Sequence, residues 1–367
     1  MPDIEVGGKA LVSQSGTADP VIKDNVAVGG HAVTVKPSSP VAGQFYFDTV
    51  QKSLFIYDGS KWMLLNSVSD FGIASGGVVS TAVSGYKIHT FTSTSATDFV
   101  VSTNPIVADI LICGGGGSSG GHHGSGGGAG ELILGYGIKF WPGTYKAICG
   151  AGGTAVAYDV VGNSGSISEL YDASNIGWGR IRAGGGGAGA ALSNSSNRFG
   201  TGGSPGGSHQ SQGPVYTHNT PDAGAGKYDK ESANCRGGAL LRFKNYAGGG
   251  TGYSSPNYGM GGGGGAGSPG ETGTSTVGGR GGDGMRSDIT GTDTFYCAGG
   301  GGSTYNGGTQ PSDASRTGQA PGVATGSDGI DATTYGGGGG GYDRSGPSNI
   351  SGAGRQGVII IRYRDYT

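Results

Sequence analysis

The sequence is poor in charge and in apolar residues, and each shortage excludes a class of protein. Charged residues make up 13% and apolar residues 34% of the 367 positions, against usual shares of about 25% and 45–50%. Basic residues occur singly and the formal net charge is −2, so no basic face for nucleic acid is expected. No apolar run approaches the roughly 18 residues of a membrane span, and the start lacks the features of a secretory signal. We therefore expect a soluble protein that folds where it is made, without membrane insertion.

Cysteine is also scarce, because four residues in a chain of 367 are too few for a disulfide scaffold. Cys113, Cys149 and Cys297 each end an apolar run, which is typical of small buried hydrophobes at strand ends. Cys235 lies in a polar stretch and its environment is undecided. We expect free thiols and, without any Cys-x-x-Cys, no zinc site.

Glycine is the abundant residue, with 86 of 367 positions, about three times its usual share of roughly 7%. Disordered chains are poor in aromatic and β-branched residues, whereas this one has 18 Tyr, 10 Phe and recurrent Ile/Val runs. An ordered chain that uses glycine as a building material is therefore predicted. Residues 1–112 hold only 11 of the glycines, so the chain changes character near Cys113.

The composition predicts three regions. Residues 1–40 are interpreted as an N-terminal attachment or linker segment, residues 41–77 as a small β-meander module, and residues 78–367 as a glycine-rich β domain. In the second region, Asp58-Gly59 between runs of β-formers favours a tight hairpin turn. Because a three-stranded meander is marginal alone, we expect it to pack on copies of itself in a homotrimer.

From Val78 onwards, short apolar runs alternate with glycine tracts, and no helical periodicity is present. The runs have the length and β-branched content of strands, so the predicted fold is all-β and sandwich-like. Val358–Arg364 begins with four apolar residues in succession, which is typical of a central strand covered on both faces.

The glycine tracts, such as Gly114–Gly130 and Gly336–Gly341, need a compensation for the entropy that glycine loses on ordering. Collagen is excluded because glycine does not recur at every third position without a break. We expect left-handed extended helices of the polyglycine II type, packed side by side so that backbone pairs with backbone. Flexible Gly/Ser linkers remain the alternative.

Several motifs resemble chemical sites. Gly115–Gly120 satisfies the dinucleotide pattern G-x-G-x-x-G after a strand, but no helix can follow in glycine. Gly224–Lys227 fails as a P-loop because Pro221 and Tyr228 replace required residues. His122-His123 is interpreted as an exposed polar pair instead of a metal site with His209 or His218. We expect no catalytic, cofactor-binding or metal-binding residues, and so no enzyme.

The stretch from about Ala190 to Tyr258 is the least regular and contains aromatic residues among polar ones. Tyr, Ser, Gly and Asn are the side chains of adaptable recognition loops. Receptor-binding residues are therefore predicted here, with the alternative that they only cap the glycine tracts; they are Tyr216, His218, Tyr228, Tyr246, Tyr253 and Tyr258.

Two resemblances follow. Gly43–Trp62, with its Asp-Gly-Ser-x-Trp ending, resembles a short module of phage tail-fibre and other virion proteins. Residues 78–367 resemble the glycine-rich domain of phage tail proteins through Asp109–Ile112, Gly128–Leu132, Gly143–Tyr145 with Gly150–Gly153, and Gly357–Tyr363. That family implies a virion location, β strands interleaved with polyglycine helices and attachment to the host surface. The less glycine-rich insertion around 205–246 departs from the pattern and leaves the loop boundaries open.

The sequence thus predicts a phage tail-fibre component, assembled in the host cytoplasm, that serves as adhesin or receptor-binding protein. Its expected partners are copies of itself, other virion proteins through the N-terminal segment, and a host surface glycan or protein. The competing interpretations are a non-binding structural or decoration protein of the head or tail, and a glycan-cleaving tailspike. A tailspike would carry a long parallel β-helix and release sugar from host glycan.

Overall fold

A computed structural model describes residues 72–102, 104–191, 255–305, 328–342 and 350–365 continuously, with shorter stretches at 4–6, 9–13, 21–22, 38–42, 44–48, 53–66, 204, 206–207, 239–243, 248–249, 308–309 and 311. The chain divides into two compact units, with the boundary in the sequence between Gly72 and Ile73. Throughout these residues the secondary structure is all-β, without any helix. Accordingly, the described part offers no helix with the length and apolarity to cross a bilayer.

The first unit contains two antiparallel three-stranded sheets. One is formed by β1 (Ile4–Val6), β2 (Lys9–Ser13) and β3 (Val21–Ile22), and the other by β4 (Phe45–Asp48), β5 (Ser53–Tyr57) and β6 (Trp62–Asn66). The predicted meander is confirmed by the second sheet. Its β5–β6 turn is fixed by the Asp58 carboxylate, which accepts the backbone N–H groups of Ser60 and Lys61 at 2.8 Å, while Gly59 takes a φ of +101°. These hydrogen bonds to the charged carboxylate also lower the pKa of Asp58.

The second unit is built on two larger antiparallel sheets. The five-stranded sheet has the order β15 (Arg180–Ala183), β14 (Ser168–Asp172), β13 (Gly143–Ile148), β10 (Thr97–Ser102), β7 (Ile73–Ser75). The six-stranded sheet has the order β16 (Ala239–Phe243), β12 (Leu132–Phe140), β11 (Ile106–Cys113), β19 (Val358–Arg364), β9 (Tyr86–Phe91), β8 (Val78–Ser80). A hairpin of β17 (Met285–Ser287) and β18 (Thr294–Tyr296) forms a separate two-stranded sheet.

The two sheets share one apolar core, so the predicted sandwich is present. Phe99 of β10 lies edge-on to Phe140 of β12, with ring centroids 5.5 Å apart, and Phe140 stacks on Trp178 at 4.9 Å. Trp178 is buried and its indole N–H donates to the carbonyl of Lys139 at 2.9 Å. Burial of such rings stabilises the sandwich through both apolar area and their edge-to-face geometry.

The six-stranded sheet is covered on both faces. Ile359 and Ile361 of β19 pack into the sandwich core, whereas Val358 and Ile360 belong to a second apolar cluster with Tyr296 of the β17–β18 hairpin. All four side chains are at most 1% exposed. The prediction that Val358–Arg364 is a central, doubly covered strand is confirmed, because β19 lies between β11 and β9.

Beyond one end of the sheets, the glycine tracts bond to one another through their backbones. Along residues 114–121, every third N–H group donates to the same neighbouring segment. The donors 114, 117 and 120 reach the carbonyls of 131, 128 and 125; 115, 118 and 121 reach 166, 163 and 160; 116 and 119 reach 355 and 352. Successive N–H groups of the tract therefore donate to three neighbouring segments in turn, and the N–H groups in the middle of the bundle are satisfied.

The close approach of the tracts leaves no room for side chains. Gly127 donates its N–H to Gly339 and accepts from Gly300, both at 2.9 Å. A Cβ atom on Gly127 would lie well inside van der Waals contact with the carbonyl oxygen of Gly117, and one on Gly338 would meet the carbonyl of Gly127 in the same way. Glycine is required here for the absence of its side chain.

At the edge of the bundle, glycine is needed on one side only. In the segment 150–167, residues 153, 156, 162 and 165 are buried while most of the others are at least partly exposed. The period of three places one residue in three against the bundle and leaves the other two nearer to solvent. This segment and 350–357 were not recognised as tracts from the sequence, because their glycines are interspersed with other residues.

We predict that Gly127→Ala destabilises the second unit by several kcal/mol, because overpacking adds to the loss of backbone hydrogen bonds. Gly85→Ala is the matched control: that site has a φ of +73° but nothing within 4 Å of the added Cβ. Its cost should be confined to the backbone, about 1–2 kcal/mol. Denaturant unfolding of both variants measures the difference, and equal losses would contradict the packing argument.

We further predict that stability falls on acidification partly through His89, which is fully buried. Its Nδ1–H donates to the carbonyl of Gly76 at 2.7 Å, and burial lowers the pKa of His89 below 6.5. As pH drops below 6.5, His89 takes up a proton in the unfolded chain but stays largely neutral in the folded chain, so the free energy of unfolding decreases. His89→Gln keeps a donor for Gly76 and should reduce the loss between about pH 7.5 and about pH 5.5, measured by denaturant unfolding. An unchanged slope would contradict this assignment.

Candidate functional site

The glycine tracts reverse direction at the end of the bundle away from the sheets, and aromatic residues occupy these reversals. His122 and His123 lie between the outgoing tract 114–121 and the returning tract 124–131, since Gly120 donates to Ser125 at 3.2 Å across the turn. Tyr158 lies in the turn of the neighbouring segment 150–167. Two separate turns of the bundle thus carry aromatic rings at this end.

The rings form a continuous cluster, which we call the aromatic cluster: His122, His123, Tyr158, Tyr258 and Tyr305. Tyr158 stacks on His122 with centroids 4.3 Å apart, and its hydroxyl lies 3.3 Å from Nε2 of that ring. His122 and His123 are 4.6 Å apart. His123 in turn contacts Tyr305 at 5.0 Å and Tyr258 at 6.0 Å. The two histidines are 8% and 7% exposed, whereas the three tyrosines are half-buried and present part of each ring to solvent.

Four residues of this region have positive φ without being glycine. The angles are +52° for His122, +50° for His123, +59° for Asp159 and +47° for Tyr258. A residue with a Cβ atom is destabilised by about 1–2 kcal/mol in the left-handed region. Asp is among the residues that tolerate this region best. The surrounding hydrogen bonds must therefore hold these residues in place, as when Asn257 and Tyr305 exchange bonds at 2.7 and 3.1 Å.

The electrostatics of the cluster centre on His122. Burial lowers the pKa of His122, and the nearby Asp159 carboxylate opposes that shift; Nδ1 of the ring lies 4.0 Å from Oδ1 of Asp159. At neutral pH the ring is therefore mostly uncharged, and the cluster presents to solvent the half-buried rings of its three tyrosines.

Of the six residues predicted to bind a receptor, the structure describes Tyr258, and it lies in the aromatic cluster. Tyr216, His218, Tyr228, Tyr246 and Tyr253 lie outside the described residues. The prediction that His122-His123 is an exposed polar pair was wrong, because both rings are buried among other rings. Tyr158 and Tyr305 were missed; the available signal was an aromatic residue next to a polar one where a glycine-rich segment ends.

The other motifs have structural roles. The N–H groups of Gly115–Gly120 are all donated to carbonyls of the bundle, so this stretch cannot cradle a phosphate as a dinucleotide loop does. Within the described stretches, no three His, Cys, Asp or Glu residues are grouped so as to hold a metal ion.

The predicted burial of three cysteines is confirmed. Cys113, Cys149 and Cys297 are free and buried, and burial raises the pKa of Cys149 to about 12. The Cys149 thiol is therefore inert, because the reactive form is the thiolate. Cys235 lies outside the described residues.

Two comparisons bear on the relatives of this chain. A family model described as a glycine-rich domain matches residues 92–364, a range that contains strands β10 to β19 and the glycine tracts between them. No curated protein matches the chain.

We predict that Asp159→Asn lowers the pKa of His122 further, because the substitution removes the one charge that raises it. Asn tolerates the left-handed backbone of this position, so the turn should persist. Titration of the histidine Cε1 proton resonances by NMR measures the shift, with His89 as internal reference. A His122 pKa that stays constant or rises would contradict the geometry of this pair.

Proposed function

This chain belongs to the glycine-rich domain family, and from that premise we propose that it is a structural component of a bacteriophage tail fibre that attaches to the host-cell surface. The aromatic cluster would be the part that meets the host. Two features support the virion assignment. The first is the resemblance of Gly43–Trp62 to a tail-fibre module. The second is an architecture in which the glycine residues form a rigid bundle instead of a catalytic pocket.

In this proposal the tracts are packed polyglycine II helices. Such a helix has three residues per turn, about 3.1 Å rise per residue and no internal hydrogen bonds. The bonding of residues 114–121 to three neighbours in rotation and the burial of every third residue along much of 150–167 support this assignment. A rigid rod of this kind would project its turns away from the sandwich.

The observation that carries the proposal is the strain at the tip. This chain uses glycine 86 times, yet it places His122, His123 and Tyr258 at positions with positive φ, which glycine would adopt without steric strain. Strained residues of this kind are typical of binding sites, where the side chain is needed despite its backbone cost. Half-buried tyrosines on a rigid support are suited to a glycan or protein surface, because they give large contact area with little loss of entropy.

Attachment is tested by flow cytometry of the fluorescently labelled full chain on a panel of bacterial strains. Tyr258→Gly and His123→Gly should each abolish binding to the recognised strain while the melting temperature changes little, since relief of the backbone offsets lost ring contacts. Asn175→Gly is the matched control, because Asn175 also has a positive φ, +55°, but is exposed and outside the aromatic cluster. It should bind as the unmodified chain does.

The results separate the competing functions. If no strain is bound although the chain assembles into virions, a non-binding structural or decoration protein is correct. If sugar is released from host glycan, the tailspike interpretation is correct. The homotrimer remains part of the proposal and is measured by analytical ultracentrifugation; a monomer at micromolar concentration would contradict it.

A further inference from the structure

A groove of about 470 Å³ lies on the flank of the second unit, where the strands pass into the glycine tracts. Its walls come from four places in the sequence: Thr92 and Thr94 after β9, Ala151 and Gly152 after β13, the segment Asp331–Tyr335, and the segment Ala353–Gln356 before β19. The volume falls within the range of about 300–1,000 Å³ usual for small-molecule sites.

The backbone of the groove is rigid. Asp331 accepts the N–H of Ala353 through Oδ1 at 2.7 Å, and Ala332 donates to the carbonyl of Ala353 at 3.0 Å. Gln356 reaches across to the carbonyl of Thr92 through its Nε2 at 3.0 Å. These bonds hold three walls at fixed separation, so the groove is formed before any ligand arrives.

Several polar groups in the groove are left uncommitted by the described residues. The guanidinium of Arg355 lies over the ring of Tyr335, 4.2 Å from its centroid, and makes no ion pair with a described carboxylate. The hydroxyl of Thr92, Oε1 of Gln356 and Oδ2 of Asp331 likewise have no hydrogen bond to a described residue. Residues that carry such donors and acceptors thus line one concave space.

The charges of the groove select the class of ligand. Arg355 and Asp331 carry opposite single charges, and the other lining residues are uncharged, so the formal sum is zero. A molecule with several hydroxyl groups can both accept from a guanidinium and donate to a carboxylate. For an anion, the repulsion by Asp331 opposes the attraction by Arg355. We propose that this groove binds a neutral saccharide of one or two units.

This site is separate from the aromatic cluster and does not depend on the role proposed for it. Gly116 donates to the carbonyl of Arg355, and His122 follows six residues later in the sequence. At about 3.1 Å per residue in an extended glycine helix, the separation is roughly 19 Å. A single sugar cannot span both sites.

The test uses the full chain with glucose and galactose, and with glucuronate and galacturonate, in saturation-transfer NMR and calorimetry. At least one neutral sugar should bind in the millimolar range and more tightly than its uronate. Thr92→Val and Arg355→Met should each weaken binding at least about tenfold, the loss expected for one or two hydrogen bonds. Arg286→Met is the matched control: Arg286 also stacks on a ring, that of Phe295 at 4.6 Å, outside the groove.

Two outcomes overturn the proposal: no neutral sugar in the panel binds, or binding is unaffected by Thr92→Val and Arg355→Met although both variants keep the melting temperature of the unmodified chain. Preferential binding of the uronates would overturn the assignment of a neutral ligand. Thr92→Val changes no charge and little volume, so it remains informative if Arg355→Met fails to fold. Sugar binding that survives Tyr258→Gly would show that the groove acts independently of the tip.

Discussion

The second unit depends on hydrogen bonds between the backbones of neighbouring glycine tracts. An extended tract has no partner for its own N–H and C=O groups, so a bundle is stable only if each tract is surrounded by others at hydrogen-bonding distance. Residues 114–131 meet this requirement with carbonyl groups from five distant parts of the chain. Side chains would separate these backbones, and this constraint accounts for the composition of the whole sequence. The sandwich supplies the fixed ends from which the tracts start, through strands such as β11 and β19.

The same constraint explains where chemistry can occur in this fold. The interior of the bundle holds backbone and little else, so functional side chains must lie on the turns at its tip or on its flank. The aromatic cluster is at the tip and the groove around Arg355 is on the flank. Both lie on segments whose positions are fixed by the backbone hydrogen bonds of the bundle. These bonds allow strained residues such as His123 to persist.

Much of the fold follows from local sequence. Val358–Arg364 has the continuous apolar run of a doubly covered strand, and Asp58-Gly59 has the residues of a tight turn; both are present. Strand β16 was missed because its few apolar residues, Ala239–Phe243, lie within an irregular polar stretch. The aromatic cluster could not be predicted, because it depends on which tract lies beside which. For example, the N–H of Gly116 donates to the carbonyl of Arg355, and no local sequence pattern predicts which distant segments become neighbours.

The position of β19 has a consequence for how the protein is made. This strand is the last of the second unit in sequence, yet it lies between β11 and β9 in the middle of the six-stranded sheet. During synthesis the earlier strands emerge without the one that joins them, so the sheet stays split into two halves with unpaired inner edges. Closure waits until residues 358–364 leave the ribosome, which makes this domain slow to fold and exposed to aggregation while it waits. We therefore expect that a cell producing this protein in quantity must protect the nascent chain from aggregation.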